Sequence, residues 1–251
     1  MIMKLNINDR AALAIKNKEK RVEIRANKEN GKHDYSKLKE KDIIEFNSKT
    51  YGILYAKVKE VNYYKSLDEL FTLEGTRYTT SSTNDKNEAI KNVNKIDGYK
   101  EAIEKHGVYA IHIEYLYSKN TVWEELYEKA KNVRNPRDIS GLITAGSVGA
   151  AILTSNHNIY IGVCIDTAST LGMCGERNAI ANMITNGEHE IVKLVCVDGK
   201  GNVGSPCGAC REYLMQLSKT SKNIEILSNL ENKEIVRLEE LIPNWWGYDR
   251  V

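Results

Sequence analysis

The sequence predicts two domains of different architecture: an α+β domain built on a small β-barrel or curled sheet with inserted helices over residues 1–118, and an α/β three-layer (αβα) domain with a mixed sheet over residues 119–251. Three observations predict it. Short segments of the first half alternate apolar and polar residues with period two, the signature of half-buried strands. The second half reads as two hairpin strands followed by helix, strand, helix and strand, an order that places helices on both faces of a mixed sheet. Composition changes between the halves as well. Residues 1–118 hold 22 Lys+Arg against 18 Asp+Glu, hence +4, and ten of the 14 Tyr, whereas residues 119–251 hold 14 against 16, hence −2. Four of the five Cys crowd between Cys174 and Cys210.

In the first half the alternating stretches are 21–25, 42–46, 53–58 and 109–115. Residues 66–71 and 85–96 read as short helices, the first with Ser66 as N-cap and Glu69 completing a capping box. The polar run 79–85 reads as an exposed loop. In the second half a helix begins at Thr121, with Val122, Leu126 and Lys129/Ala130 on one face, and stops at Asn135-Pro136. Strands follow at 148–153 and 159–165, a helix at 175–184 ended by Asn186-Gly187, a strand at 191–197, a helix at 207–217 and a strand at 224–227.

Composition excludes several classes. With 41% hydrophobic and 28% charged residues and a mean hydropathy of −0.47, there is enough apolar material to offset the entropy of ordering the chain, so collagen-like, proline-rich and disordered readings fall away. The longest apolar runs, such as 159–165, are too short to cross a bilayer, and the N-terminus lacks the zones of a signal peptide. A cytoplasmic protein with reduced thiols is therefore expected. An odd, unevenly spaced set of Cys makes a poor disulfide framework and directs attention to ligation or catalysis.

The strongest signal joins Cys174-Gly-Glu176 to Pro206-Cys207-Gly-Ala-Cys210. All three cysteines sit at or beside predicted helix N-termini, where unpaired N–H groups favour thiolate. Cys207 and Cys210 share one face of a first helical turn, and Pro206 is placed to open that helix. Cys207 and Cys210 alone could be a redox pair or two buried thiols. With Cys174 they supply three ligands of a tetrahedral Zn²⁺ and leave the fourth position to water, the catalytic rather than the structural arrangement. Glu176, beside a ligand and not one itself, is placed to shuttle protons. Three thiolates on Zn²⁺ carry net charge −1, and Arg177 is the candidate cation that offsets it, with Arg211 a second. Cys164 and Cys196 lie within strands and read as small buried residues. His112-Ile-Glu114 formally matches H-x-E but sits mid-strand in the other half, far from any Pro-Cys-x-x-Cys.

The pattern C-x-E followed by P-C-x-x-C is that of the zinc-dependent base deaminases. Through Ser147-Val-Gly-Ala-Ala151, Gly162-Val-Cys-Ile-Asp166, Cys174-Gly-Glu-Arg-Asn-Ala-Ile180, Ser205-Pro-Cys-Gly-Ala-Cys-Arg-Glu212 and Glu240-Leu-Ile-Pro243, residues 121–251 resemble the cytidine deaminase family, in particular its blasticidin S deaminase-like branch. The resemblance implies that water activated by zinc attacks C4 of a cytosine nucleoside or close analogue. Glu176 then protonates the ring nitrogen and the leaving amine, and ammonia departs near the Ser205 carbonyl. It also implies a substrate pocket that includes Cys164, Asp166, Gly175 and Ser205, and an oligomer, commonly a tetramer, that completes each site. Cys164 and Asp166 occupy the positions of an Asn-x-Glu that holds ribose hydroxyls in such enzymes, and Gly146-Ser147 stands where an aromatic flanks the base.

The first half resembles an ASCH domain, a PUA-like β-barrel module, through Lys20-Arg-Val-Glu-Ile-Arg25, the Leu38 to Phe46 stretch and His106-Gly-Val-Tyr-Ala-Ile111. The resemblance implies RNA as a possible partner, delivering the deaminase to it. It equally implies a hydrolase for N4-acetylcytidine working through Lys, Thr and Glu, of which Lys20 aligns while Glu23 stands in place of the Thr. Lys20, Glu23 and Arg25 read as alternating along one strand, with Glu23 and Arg25 on one face of a polar pocket.

Overall fold

The computed structural model describes residues 1–251 and divides into two compact units, Met1–Asn120 and Thr121–Val251. No helix is long and apolar enough to cross a membrane.

The first unit runs β1 (Ile2–Asn6), α1 (Asp9–Lys16), β2 (Val22–Arg25), β3 (Ile43–Ser48), β4 (Gly52–Tyr64), α2 (Leu67–Glu74), α3 (Lys86–Asn94), α4 (Tyr99–His106) and β5 (Val108–Ser118). Its five strands pair in the order β1-β3-β4-β5-β2, with β1 parallel to β3 and the rest antiparallel. The long β4–β5 pair slips register twice, near Tyr55 and near Val58, and such bulges bend and twist a ribbon. The curl brings the two edge strands together at one end, where Arg25 at the end of β2 donates from Nη2 to the Asn6 carbonyl at the end of β1, 3.0 Å away. One apolar layer joins Phe46, Leu54, Val58 and Ile111 to Ala12 and Ile15 of α1. A second joins Val22, Ile24 and Ala110 to Leu70, Phe71, Val93 and Ile103 of the other helices.

The four alternating stretches are strands, and residues 66–71 and 85–96 are helical, as their patterns predict. Three details differ. Ser66 Oγ accepts the Glu69 N–H at 3.2 Å, but the Glu69 carboxylate takes the N–H of Lys65 at 2.8 Å, one residue ahead of a true capping box. Lys20 precedes the strand, which starts at Val22. The run 79–85 is not simply exposed, since Thr79 is buried and donates to the Gly75 carbonyl. β1, α1 and α4 are additional elements, and α1 starts where Asn8 accepts the N–H of Ala11.

The second unit runs α5 (Val122–Val133), β6 (Arg137–Ser140), β7 (Ile143–Thr154), β8 (Ile159–Thr167), α6 (Gly175–Thr185), β9 (Ile191–Val197), β10 (Val203–Gly204), α7 (Gly208–Met215), β11 (Glu225–Asn229), β12 (Glu234–Arg237) and α8 (Leu238–Leu241). Seven strands form one sheet with the main path β12-β11-β9-β7-β6; β8 pairs with β7 and β10 with β9. Only β9 and β11 are parallel, so the sheet is mixed. Helices cover both faces. Ala150 and Ile152 of β7 face a core with Ala179, Ile180 and Met183 of α6 and Leu214 of α7. On the other face Gly149 abuts α5, and a Cβ there would lie 2.1 Å from the Ala130 carbonyl oxygen.

Gly162 of β8 has the same role beneath α6, where a Cβ would stand 2.3 Å from the Ala179 nitrogen and 2.5 Å from the Gly175 carbonyl oxygen. Neither neighbour is a flexible side-chain end. Gly162→Ala is therefore expected to lower stability by about 1–3 kcal/mol, the usual cost of overpacking, as a lower melting temperature followed by Trp fluorescence. An unchanged melting curve would contradict the close seating of α6 that positions the site described next.

Candidate metal centre and active-site pocket

Two helix starts bring the cysteines together. Cys174 is the extended N-cap of α6 and Cys207 that of α7, with Cys210 in the first turn of α7. Pro206 consequently lies one residue ahead of the cap and outside the helix, rather than opening it. Cys174 Sγ is 3.7 Å from Cys207 Sγ, Cys207 Sγ is 3.6 Å from Cys210 Sγ, and the three sulfurs lie within 4.8 Å of one another. None is in a disulfide.

This spacing fits a metal. Zinc–sulfur bonds of about 2.3 Å in a tetrahedral site place ligand sulfurs about 3.8 Å apart. Two helix N-termini meet at the sulfurs, with Arg177 beside them. Arg177 Nη2 donates to the Gly172 carbonyl at 3.3 Å, while its buried Nε has no hydrogen-bond partner. Burial works against the guanidinium's charge, but Cys174 and the other two sulfurs outweigh it and raise its pKa above the ordinary value. Burial pushes the Cys210 thiol far above its usual range, reinforced by the Glu176 charge. Burial also pushes Cys207 upward, yet the N–H groups of Cys210 and Ala209 and the neighbouring thiols hold it below the ordinary thiol value. A cation at the centre would stabilise the thiolate form of all three cysteines. Arg211 is not directed at the sulfurs: it donates to the Pro206 and Leu241 carbonyls at 2.8 and 3.0 Å and to Ser205 Oγ at 3.2 Å, tying down the loop that carries Cys207.

Glu176, in the first turn of α6, is 4% exposed. It contacts Cys196, whose thiol is pushed well above its usual range by burial and by this carboxylate, so it stays a neutral donor. Cys196 is thus buried, as its strand position predicts, and also holds Glu176. The helix is fixed to β8 by Asn178, which donates to the Val163 carbonyl at 2.7 Å.

Glu176, Cys174, Cys207 and Arg177 open on a cavity of about 500 Å³ whose wall also includes Ser147, Cys164, Asp166 and Ser205. Ser147 Oγ lies 3.0 Å from Cys164 Sγ, and the Val148 N–H donates to the same sulfur at 3.3 Å. Cys164 Sγ in turn is 3.5 Å from Asp166 Oδ2, and Asp166 is an exposed residue of the wall. Gly175 is not on the wall; it is buried behind it against the Val148 and Gly162 carbonyls. Sequence reasoning overlooked Thr167, Ser169, Thr170 and Met173, which also line the cavity. Their only signal was a run of hydroxyl residues after β8, folded back where Ile165 and Met173 exchange backbone hydrogen bonds.

The first unit has a cavity of its own, about 340 Å³, on whose wall lie Lys20, Glu23 and Arg25. Glu23 Oε2 is 3.3 Å from Lys20 Nζ and Oε1 is 2.8 Å from Arg25 Nη2. Burial pushes the Glu23 carboxyl upward, but the two cations outweigh it and hold it below the ordinary carboxylate value. Glu23 is the one acid on this wall, so no further carboxylate completes a Lys, Thr and Glu set there. Glu74 is bound to Tyr64 and His112, and Glu88 is exposed and bound to Thr83. His112 is a strand residue with its Nε2 3.0 Å from Glu74, and Glu114 points to solvent.

Comparison with known proteins bears on both units. Residues 123–225 match the family model of the cytidine and deoxycytidylate deaminase zinc-binding region, and residues 5–116 match that of the ASCH domain. A cytidine deaminase of Mycoplasma genitalium is 31% identical over 97 residues, 38% of this chain and 75% of that protein. A blasticidin-S deaminase of Bacillus cereus is 32% identical over 106 residues, 38% of this chain and 74% of that protein. Among solved structures, cytidine deaminase from Mycobacterium tuberculosis aligns with TM-score 0.42 and 27% identity, covering 50% of this chain and 97% of that one.

Proposed function

The chain belongs to the cytidine deaminase family, with an ASCH domain ahead of the deaminase domain, and is a hydrolytic deaminase acting on C–N bonds. From this premise we propose that its substrate is an unphosphorylated cytosine nucleoside or close analogue, converted to the uracil form with release of ammonia. Cys174, Cys207 and Cys210 hold Zn²⁺ in this reading, and Glu176 is the catalytic acid–base. The observation that carries it is the cluster of three sulfurs, two pairs of them 3.6 and 3.7 Å apart, of which Cys174 and Cys207 open with the buried Glu176 carboxylate on a single cavity while Cys210 lies buried behind them.

Zinc at the three sulfurs would lower the pKa of a water molecule toward neutrality. The remaining work falls to the chain. Glu176 takes a proton from the attacking water and gives it to the ring nitrogen as the water oxygen bonds to C4; it then takes the second proton from that oxygen and gives it to the amine, so that the C4–N bond breaks and ammonia leaves. Its burial among Cys196 and the sulfurs excludes bulk water from these transfers. Arg177 offsets the charge of the sulfurs. Ser147, Asp166 and the hydroxyls of Thr167 to Thr170 receive the part of the substrate that carries the base, and Ser205 lies where the amine departs.

Charge sets the substrate class. The cavity wall carries Glu176 and Asp166, and its one cation, Arg177, is directed at the sulfurs. A phosphate would meet carboxylate and no free cation. In a panel of cytidine, deoxycytidine, cytosine, their monophosphates, N4-acyl forms and blasticidin S, read by ammonia release and ultraviolet shift, an unphosphorylated cytosine compound is expected to be turned over at least about ten-fold more efficiently than its monophosphate. Preferred turnover of the monophosphate would overturn the assignment of substrate class.

A further inference from the structure

The 340 Å³ cavity of the first unit holds buried charge that the deamination chemistry does not use. Lys20 and Glu23 are 7% and 6% exposed, and the Arg25 side chain is 15% exposed. Burying ions costs several kcal/mol each unless they are fully paired. Here two cations face one carboxylate. Lys20 is fully engaged, since its ammonium donates to the Val22 and Thr79 carbonyls and pairs with Glu23. Arg25 Nη2 donates to the Asn6 carbonyl and pairs with Glu23, while its Nε has no hydrogen-bond partner.

More positive potential converges on the same space. The first turn of α1, from Asn8 to Ala11, lines the cavity and adds the positive end of the helix. Asp9 does not neutralise it, because its carboxylate is turned away to Ser48 and Thr50. Arg10 stands exposed on the cavity wall and pairs with no carboxylate. Ser81 and Ser82 add hydroxyl donors, while Ile24, Val93 and Tyr99 form an apolar wall.

We infer that this cavity binds a small organic oxyanion, a phosphate monoester or a carboxylate, whose charged end meets Arg25, Arg10 and the start of α1 and whose body packs on Ile24, Val93 and Tyr99. The inference is independent of the deaminase reading, because every residue it uses lies in the first unit. It also gives the buried Lys20–Glu23–Arg25 cluster a task other than hydrolysis: Lys20 and Glu23 hold the Arg25 guanidinium in place.

The test is ligand-detected NMR titration of the full chain at low salt with phenyl phosphate, benzoate and benzyl alcohol, which share one aromatic body. Phenyl phosphate or benzoate is expected to bind at least about ten-fold more tightly than benzyl alcohol, and whichever is preferred identifies the phosphoryl or carboxyl source. Arg10→Ala, at an exposed position, is expected to weaken that binding about five-fold or more with an unchanged melting temperature, whereas Asp166→Ala leaves it intact. Equal binding of all three probes, binding of none, or sensitivity to Asp166→Ala in place of Arg10→Ala would overturn the inference.

Discussion

Glu176→Ala is expected to lower ammonia release from every substrate by about 10³–10⁴-fold while the protein keeps its zinc, as measured by steady-state assay and metal analysis of the same sample. The two readouts separate because Glu176 lies beside the sulfur cluster and is not part of it. Glu176→Gln sharpens the experiment: it keeps the shape and the contact with Cys196 but cannot take a proton from water, so its loss should be of similar size. Turnover near the parental rate in either variant, with zinc retained, would remove Glu176 from the mechanism. Loss of zinc in Glu176→Ala but not in Glu176→Gln would instead give the carboxylate a structural part in holding the two helix starts.

The second large effect concerns stability. Glu23→Leu leaves the Lys20 ammonium and the Arg25 guanidinium buried with no carboxylate between them, and breaking a buried ion cluster in this way costs about 3–5 kcal/mol. The three Trp of the chain, Trp123, Trp245 and Trp246, all lie in the second unit. Urea unfolding followed by circular dichroism should therefore move to lower urea, while the Trp fluorescence transition stays in place. The sign of the pH dependence follows from the same contacts. Glu23 titrates below its ordinary value of 4.5 in the folded protein, so its contribution is complete above that value. It is lost as pH falls through the lower folded value. Replacing all three residues by apolar ones of similar size should recover much of the loss, since no unpaired charge is then left. Coincident movement of both transitions in Glu23→Leu would contradict this account.

Local patterns made most of the scaffold readable in the sequence. Period-two alternation marked β2, β3, β4 and β5 of the first unit, and the Asn135-Pro136 and Asn186-Gly187 punctuation marked the ends of α5 and α6. The elements left out are those with weak local signals. β6, β10 and β12 are at most four residues long and take their place from their partners on β7, β9 and β11. α4 begins at Gly98 without a side-chain cap, so no capping residue announces it.

At the proposed deaminase site, spacing was enough to single out Cys174, Glu176, Cys207 and Cys210 as candidates, because a cysteine set at two helix starts is a property of short stretches of chain. The different tasks of Arg177 and Arg211 were not legible. Each follows a site residue directly, yet one turns toward the sulfurs and the other toward the Ser205 and Pro206 oxygens of its own loop and the distant Leu241 carbonyl, which the packing of α7 against α8 brings within reach.

The sequence by itself determined that the chain has two domains of different architecture, that its second half carries the cysteine and glutamate pattern of a zinc deaminase, and that Lys20, Glu23 and Arg25 form a charged group. Each of these rests on residues within a few positions of one another or on a periodicity. Only the tertiary structure decided which cavity each charge faces. It showed Cys196 against Glu176, Gly175 behind the wall rather than on it, Lys20 consumed by backbone carbonyls, and Arg10 and Arg25 left to face a second cavity. Hydrogen bonds and ion pairs across dozens of residues depend on how the sheets curl and the helices seat, and no local pattern in the chain encodes that.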